Sequence, residues 1–127
     1  MGLQVNIKEK NPGIFEIAII GSIDSSTCPD LEKKVELVLS KAPQVIIFDL
    51  GAVTYITSMG LSLMVKTEKA IKEKGKSLIV VNIPHQIKKV FDVISALPSM
   101  NIFTSIEEAD SYLLKLQRDE LDKKRPL

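Results

Sequence analysis

The run Val45-Ile46-Ile47-Phe48-Asp49-Leu50 constrains this chain more than any other segment. Five of its six residues are apolar and they do not alternate, the mark of a strand shielded on both faces, which requires helices packed on a mostly parallel sheet. The flanking segments supply those helices. Leu31, Val35, Val38 and Leu39 recur at helical spacing before the run, and Leu61, Met64, Val65 and Ile71 follow it. A buried strand between two amphipathic helices is the repeating unit of an α/β fold.

Reading outward extends the pattern. Leu3, Val5 and Ile7 alternate with Gln4, Asn6 and Lys8, a strand with one wet face. Asn11-Pro12-Gly13 turns the chain into a second strand, Ile14 to Ile20, completing an antiparallel hairpin. Thr27-Cys28-Pro29-Asp30 reads as a capping box at the first helix, with Pro in the first turn. Ser58 opens the second helix, and Gly75 after Lys72 and Lys74 reads as its C-cap. Leu78 to Val81 is a further buried strand. Asn82 and Pro84 lead into a third helix with Ile87, Val90, Phe91 and Ile94 facing inward and Pro98 beyond its end. Ile102-Phe103 is a short strand, and Ser105-x-x-Glu108 caps a last helix with Ala109, Tyr112, Leu113 and Leu116 as its stripe.

The order ββαβαβαβα predicts a mixed, mostly parallel central sheet of about five strands with four helices and one antiparallel edge. The folded domain is expected over residues 1–117, with 118–127 a charged C-terminal tail. In such sheets sites lie at the carboxyl ends of the strands, which directs the search to the loops after Ile20, Leu50 and Val81.

Composition narrows the function classes. Seventeen Lys and Arg against sixteen Asp and Glu, with 5% aromatics and no Trp, offer neither the basic face nor the stacking platforms that nucleic acid requires. No apolar run approaches the roughly 20 residues of a membrane span. The start Met1-Gly2-Leu3-Gln4 lacks a signal-peptide layout, and Cys28, the one cysteine, has no partner for an internal disulfide. A cytoplasmic protein without membrane insertion is expected.

Enzymatic readings fare poorly. A nucleophile elbow needs G-x-S-x-G, whereas Ile56-Thr57-Ser58-Met59-Gly60 lacks the first glycine and leaves His85, the sole histidine, as base. Asp49 near a strand end suggests a phosphoacceptor, yet Ile19-Ile20-Gly21 brings no acidic pair for a metal. Neither a P-loop nor G-x-G-x-x-G occurs. No catalytic residue, cofactor or metal is expected.

Two segments at strand ends stand out. Gly51 to Leu61 places Thr57 and Ser58 at a helix mouth, where free N–H groups and the macrodipole favour an anion, and either hydroxyl suits an N-cap. In Gly21-Ser22-Ile23-Asp24 the glycine suits a positive φ, and Asp24 suits an Asx-type turn into Ser25-Ser26-Thr27.

Gly21-x-x-Asp24 after a hairpin, Val45 to Leu50, and Val53-x-Tyr55-Ile56-Thr57-Ser58-Met59-Gly60-Leu61 together resemble the STAS domain family, in particular its single-domain anti-sigma factor antagonists, over residues 4 to 116. The resemblance implies a binding module. Its unphosphorylated form binds an anti-sigma factor with serine kinase activity and releases a sigma factor; phosphorylation ends the interaction and a phosphatase resets it. Ser58 matches the modified serine, with Thr57 the alternative acceptor, because this chain carries Thr57-Ser58-Met59-Gly60-Leu61 where the family commonly has Asp-Ser-Ser-Gly-Leu. Asp24, Tyr55, Thr57, Ser58, Met59, Gly60 and Leu63 form the implied partner surface of a monomer. The alternatives are a STAS subunit of a larger assembly, such as a stress-signalling complex or a lipid-transport ATPase, and, more remotely, a small Ser hydrolase.

Overall fold

The computed structural model describes residues 2–94, 101–103, 107–111 and 114–115, with only the backbone described at 90–94 and 101–103. The elements are β1 (Gln4–Asn11), β2 (Ile14–Ile23), α1 (Cys28–Leu39), β3 (Val45–Ile56), α2 (Ser58–Glu73), β4 (Ser77–Val81), α3 (His85–Ile94) and β5 (Asn101–Phe103). Residues 107–111 and 114–115 are helical again. The strands form one sheet in the order β1-β2-β3-β4-β5. β1 pairs antiparallel with β2, and the remaining pairs are parallel.

Each crossover from β2 onward advances one strand in the same direction, and right-handed connections then deliver α1, α2 and α3 to one face. The packing agrees. Leu31 and Val35 of α1, Leu61, Met64 and Ile71 of α2, and Ile87 of α3 share one cluster with sheet residues such as Ile17, Phe48 and Val80. On the other face Ile14, Val45, Ile47, Ile79 and Val81 pack with Ala109 of the last helical segment. Asp110 of that segment accepts hydrogen bonds from Lys10 Nζ at 3.1 and 3.2 Å, fastening it to the β1 edge. The central run is thus covered on both sides, as its composition demands.

Two strands run further than their apolar patterns suggest. β2 continues from Ile20 to Ile23 and β3 from Leu50 to Ile56, so Gly51 to Ile56 is strand rather than loop. Gly21 pairs with Val53, Ser22 with Tyr55 and Ile23 with Ile56, and register shifts at Ala18/Ile20 and Gly21/Ser22 absorb the broken alternation. The periodic signal fails at Gly51-Ala52 because neither residue favours a strand, although Val53-Thr54-Tyr55-Ile56 does.

The capping box at α1 does not form. Thr27 occupies the N-cap position with φ −102° and ψ −22°, and its side chain makes no cap bond, because a side-chain cap needs the extended backbone. The hydroxyl instead donates to the Ser22 carbonyl at 2.8 Å and accepts the Asp24 N–H at 2.9 Å. At α2 the C-terminal signal holds: Gly75 has φ +72°, its N–H donates to the Lys72 carbonyl at 2.9 Å, and that of Lys76 to Ile71 at 3.0 Å, the Schellman arrangement. Pro98, Ser105, Tyr112, Leu113, Leu116, the 118–127 tail and the side chains of Val90, Phe91 and Ile94 lie outside the described residues.

Candidate functional site

The extended ends of β2 and β3 place Ile23 beside Ile56, and α2 starts at once from that platform. Thr57 is its N-cap, with extended backbone. Its N–H donates to the Ile23 carbonyl at 2.9 Å, its hydroxyl donates to the same carbonyl at 3.3 Å, and its oxygen accepts the Gly60 N–H at 3.4 Å. Both hydrogen-bonding capacities of the threonine are committed to holding the helix on β2. Ser58 is therefore the first helical residue rather than the cap. It is exposed, and its hydroxyl makes no hydrogen bond among the described residues. The sequence offers two hydroxyls at the helix mouth; the structure gives one to the fold and leaves the other free.

Gly60 explains how close the helix comes. A Cβ there would meet Ile23 Cγ2 at 2.6 Å and Ile56 Cγ1 at 2.9 Å, so only glycine lets the first turn rest on both strands. Leu61 follows into the core at 1% exposure. Gly60 is buried and Leu63 is 8% exposed, so these two expected contact residues lie beneath the surface: Gly60 under the helix, Leu63 on the floor of a groove between α1 and α2. Met59 and Tyr55 are the exposed apolar groups at this rim, at 52% and 58%. Tyr55 stands at the register shift between Val53 and Ile56, both of which join the core, while its own side chain stays exposed.

Asp24 lies on the same rim, next to the residue whose carbonyl anchors Thr57. Its Oδ1 accepts the Ser26 hydroxyl at 2.7 Å, the Ser26 N–H at 2.9 Å and the Thr27 N–H at 3.1 Å, and its carbonyl accepts the Cys28 N–H at 2.8 Å. These bonds, the Ser26 hydroxyl foremost, hold the Asp24 carboxyl below its ordinary value against a smaller opposing effect of desolvation. The expected Asx-type turn is present and starts α1.

The remaining candidates separate from this rim. Asp49 Oδ1 accepts the Gly51 N–H at 3.0 Å and Asn82 Nδ2–H at 3.2 Å, a brace between β3 and the exit of β4. His85 is exposed at the start of α3 and makes no hydrogen bond to Ser58 among the described residues. Among the described residues no three His, Cys, Asp or Glu side chains gather as metal ligands, and no helix is long and apolar enough to cross a membrane. Sequence reasoning missed the Ile23 carbonyl as anchor of the helix start; the hydroxyl three residues before a buried glycine was its one local trace.

The STAS domain family model matches residues 6–109. The chain is similar to the anti-sigma-B factor antagonist of Listeria monocytogenes, 26% identical over 93 residues, spanning 73% of this chain and 82% of that protein. Among solved structures it resembles an anti-sigma factor antagonist from Mycobacterium paratuberculosis, with a TM-score of 0.79, 19% identity and coverage of 87% of this chain and 92% of that one. The Bacillus cell fate determinant SpoIIAA in its phosphorylated form superposes with a TM-score of 0.69, 19% identity and coverage of 87% and 99%. Both solved structures share the fold of this chain.

Proposed function

The chain belongs to the STAS domain family, and from that membership we propose that it is a cytoplasmic anti-sigma factor antagonist, a monomeric binding protein without catalytic activity of its own. Unphosphorylated, it binds an anti-sigma factor that is also a serine kinase and so frees a sigma factor. Phosphorylation of Ser58 ends the interaction, and a phosphatase restores it. The observation that carries this reading is the free, exposed Ser58 hydroxyl beside a Thr57 hydroxyl already committed to the helix cap.

The geometry explains how such a switch works without unfolding. A phosphate brings about −1.5 to −2 charges and three acceptor oxygens. At the first position of a 16-residue helix it meets the positive end of the macrodipole and N–H groups with no intrahelical carbonyl. The fold tolerates the anion. A partner packed over Met59 and Tyr55 instead encounters a charge in the middle of an apolar contact, and desolvating it costs several kcal/mol. Asp24, bordering the same rim, adds a fixed carboxylate that a cationic group of the partner can read.

Incubation with the anti-sigma factor kinase and ATP, followed by mass spectrometry, tests the assignment. Phosphate on Ser58 with loss of the complex is the expected result. Phosphate on Thr57, or tight binding with no phosphate on any residue, refutes the switch; the latter outcome fits a docking subunit of a larger assembly.

A further inference from the structure

Three sulfur atoms fall among the described residues, and the fold treats them unequally. Cys28 is 5% exposed, Met64 1% and Met59 52%. Met64 and Cys28 are packed into the core cluster under the helices. Burial foremost, and then the carboxylates of Asp24 and Glu32, push the Cys28 thiol above its ordinary value, so the thiolate that reacts with peroxides is scarce. A thioether has no proton to lose and reacts in its neutral form. Access therefore decides between the two methionines, and it favours Met59.

The position gives that sulfur a consequence. Met59 follows Ser58 in the first turn of α2 and shares with Tyr55 the exposed apolar part of the rim. Its side chain also borders a hollow of about 270 Å³ that Pro29 and Leu63 line, so open space adjoins it on the α1 side. The core cluster does not include Met59. A change in its polarity thus falls on whatever binds the rim rather than on the fold.

We infer that Met59 is an oxidation site, and that its sulfoxide is a second off-state of the partner surface, independent of Ser58. The co-reactant is a two-electron oxidant of the hydroperoxide class, hydrogen peroxide being the simplest. A lone pair of the thioether attacks one peroxide oxygen, and the S–O bond forms as the O–O bond breaks. The proton of the transferred hydroxyl passes to the departing hydroxide, which leaves as water; sulfur is oxidised by two electrons and the peroxide reduced by two.

The product replaces a flexible apolar side chain with a polar one that carries an acceptor oxygen, the change that disrupts methionine contacts. A phosphate on Ser58 ends binding by burying charge, whereas the sulfoxide ends it by leaving an oxygen unpaired within the apolar part of the contact. The inference rests on the antagonist reading for its consequence and on the three exposures for its site.

The test treats the full chain alone with hydrogen peroxide, removes the peroxide and locates the added oxygen by mass spectrometry of peptides. Met59 should gain one oxygen before Met64 or Cys28 gains any, and the reverse order overturns the site. The treated chain is then titrated with the anti-sigma factor kinase. Its affinity should fall by about tenfold with the melting temperature unchanged, and methionine sulfoxide reductases with a dithiol should restore it. Whatever the affinity of Met59→Leu, it should be the same before and after peroxide. Ser58→Ala, which takes up no phosphate, should lose affinity on treatment as the unaltered chain does.

Equal loss in Met59→Leu, no loss in the unaltered chain despite oxygen on Met59, or a fall of several degrees in melting temperature overturns the inference and leaves the antagonist reading standing. If the untreated chain does not bind the kinase, the antagonist reading fails and the inference falls with it.

Discussion

Thr57 and Gly60 are joined across the first turn of α2 by a hydrogen bond of 3.4 Å from the Gly60 N–H to the threonine hydroxyl oxygen. The same hydroxyl donates to the Ile23 carbonyl, so one side chain ties the helix start to a strand 34 residues away. Ser58, between the two bonded residues, is left with a free hydroxyl.

Thr57→Ala removes the cap and the tie together. The expected cost is about 1 kcal/mol, within the range of N-cap deletions, and a fall of a few degrees in melting temperature. Thr57→Ser should restore most of it. Calorimetry on the three proteins decides the matter, and unchanged stability in Thr57→Ala would remove the structural role assigned to this hydroxyl.

Gly60→Ala sets two effects against each other. Alanine improves helix propensity by up to about 1 kcal/mol, but its Cβ falls 2.6 Å from a methyl of Ile23, a fully buried β-branched side chain with few rotamers to yield. Overpacking costs about 1 to 3 kcal/mol and should win. Urea denaturation should show a net loss; equal or greater stability would mean that helix and strand have room to part.

Ser58→Asp places a carboxylate at the first helical position rather than at the cap, which Thr57 keeps. Stability should be unchanged or raised by about 0.3 to 1 kcal/mol through the macrodipole, while affinity for the anti-sigma factor kinase should drop by more than about tenfold. Ser58→Ala should bind normally and take up no phosphate. Calorimetric titration of both variants separates charge from fold: weak binding by Ser58→Ala would point to a lost contact rather than an introduced charge.

Asp24 should titrate below the ordinary aspartate value of 3.8, and NMR of its carboxyl carbon reads this directly. A depressed folded-state value means that the carboxylate stabilises the fold fully above the ordinary value and loses that contribution as pH falls through the depressed one. Ser26→Ala deletes the strongest of the bonds responsible and should move the titration up toward 3.8. A titration unchanged by Ser26→Ala would locate the cause elsewhere.

Much of this molecule is determined by the sequence alone, since periodicity and punctuation are local properties. Val45 to Leu50 has to be a doubly covered strand, the seams of α1 and α2 have to face a neighbour, and Gly75 has to end α2, because each follows from residue type and spacing within a few turns of chain. That the stripes of α1 and α2 join a single core cluster is not legible in this way, since it depends on two crossovers landing on one face of the sheet. The tertiary structure also decides the lengths of β2 and β3, where cross-strand pairing outweighs the weak propensity of Gly51 and Ala52. Above all it decides between Thr57 and Ser58. Both are good caps by composition, and the choice is made by the carbonyl of Ile23, which only the parallel pairing of β2 and β3 brings within reach of one hydroxyl and not the other.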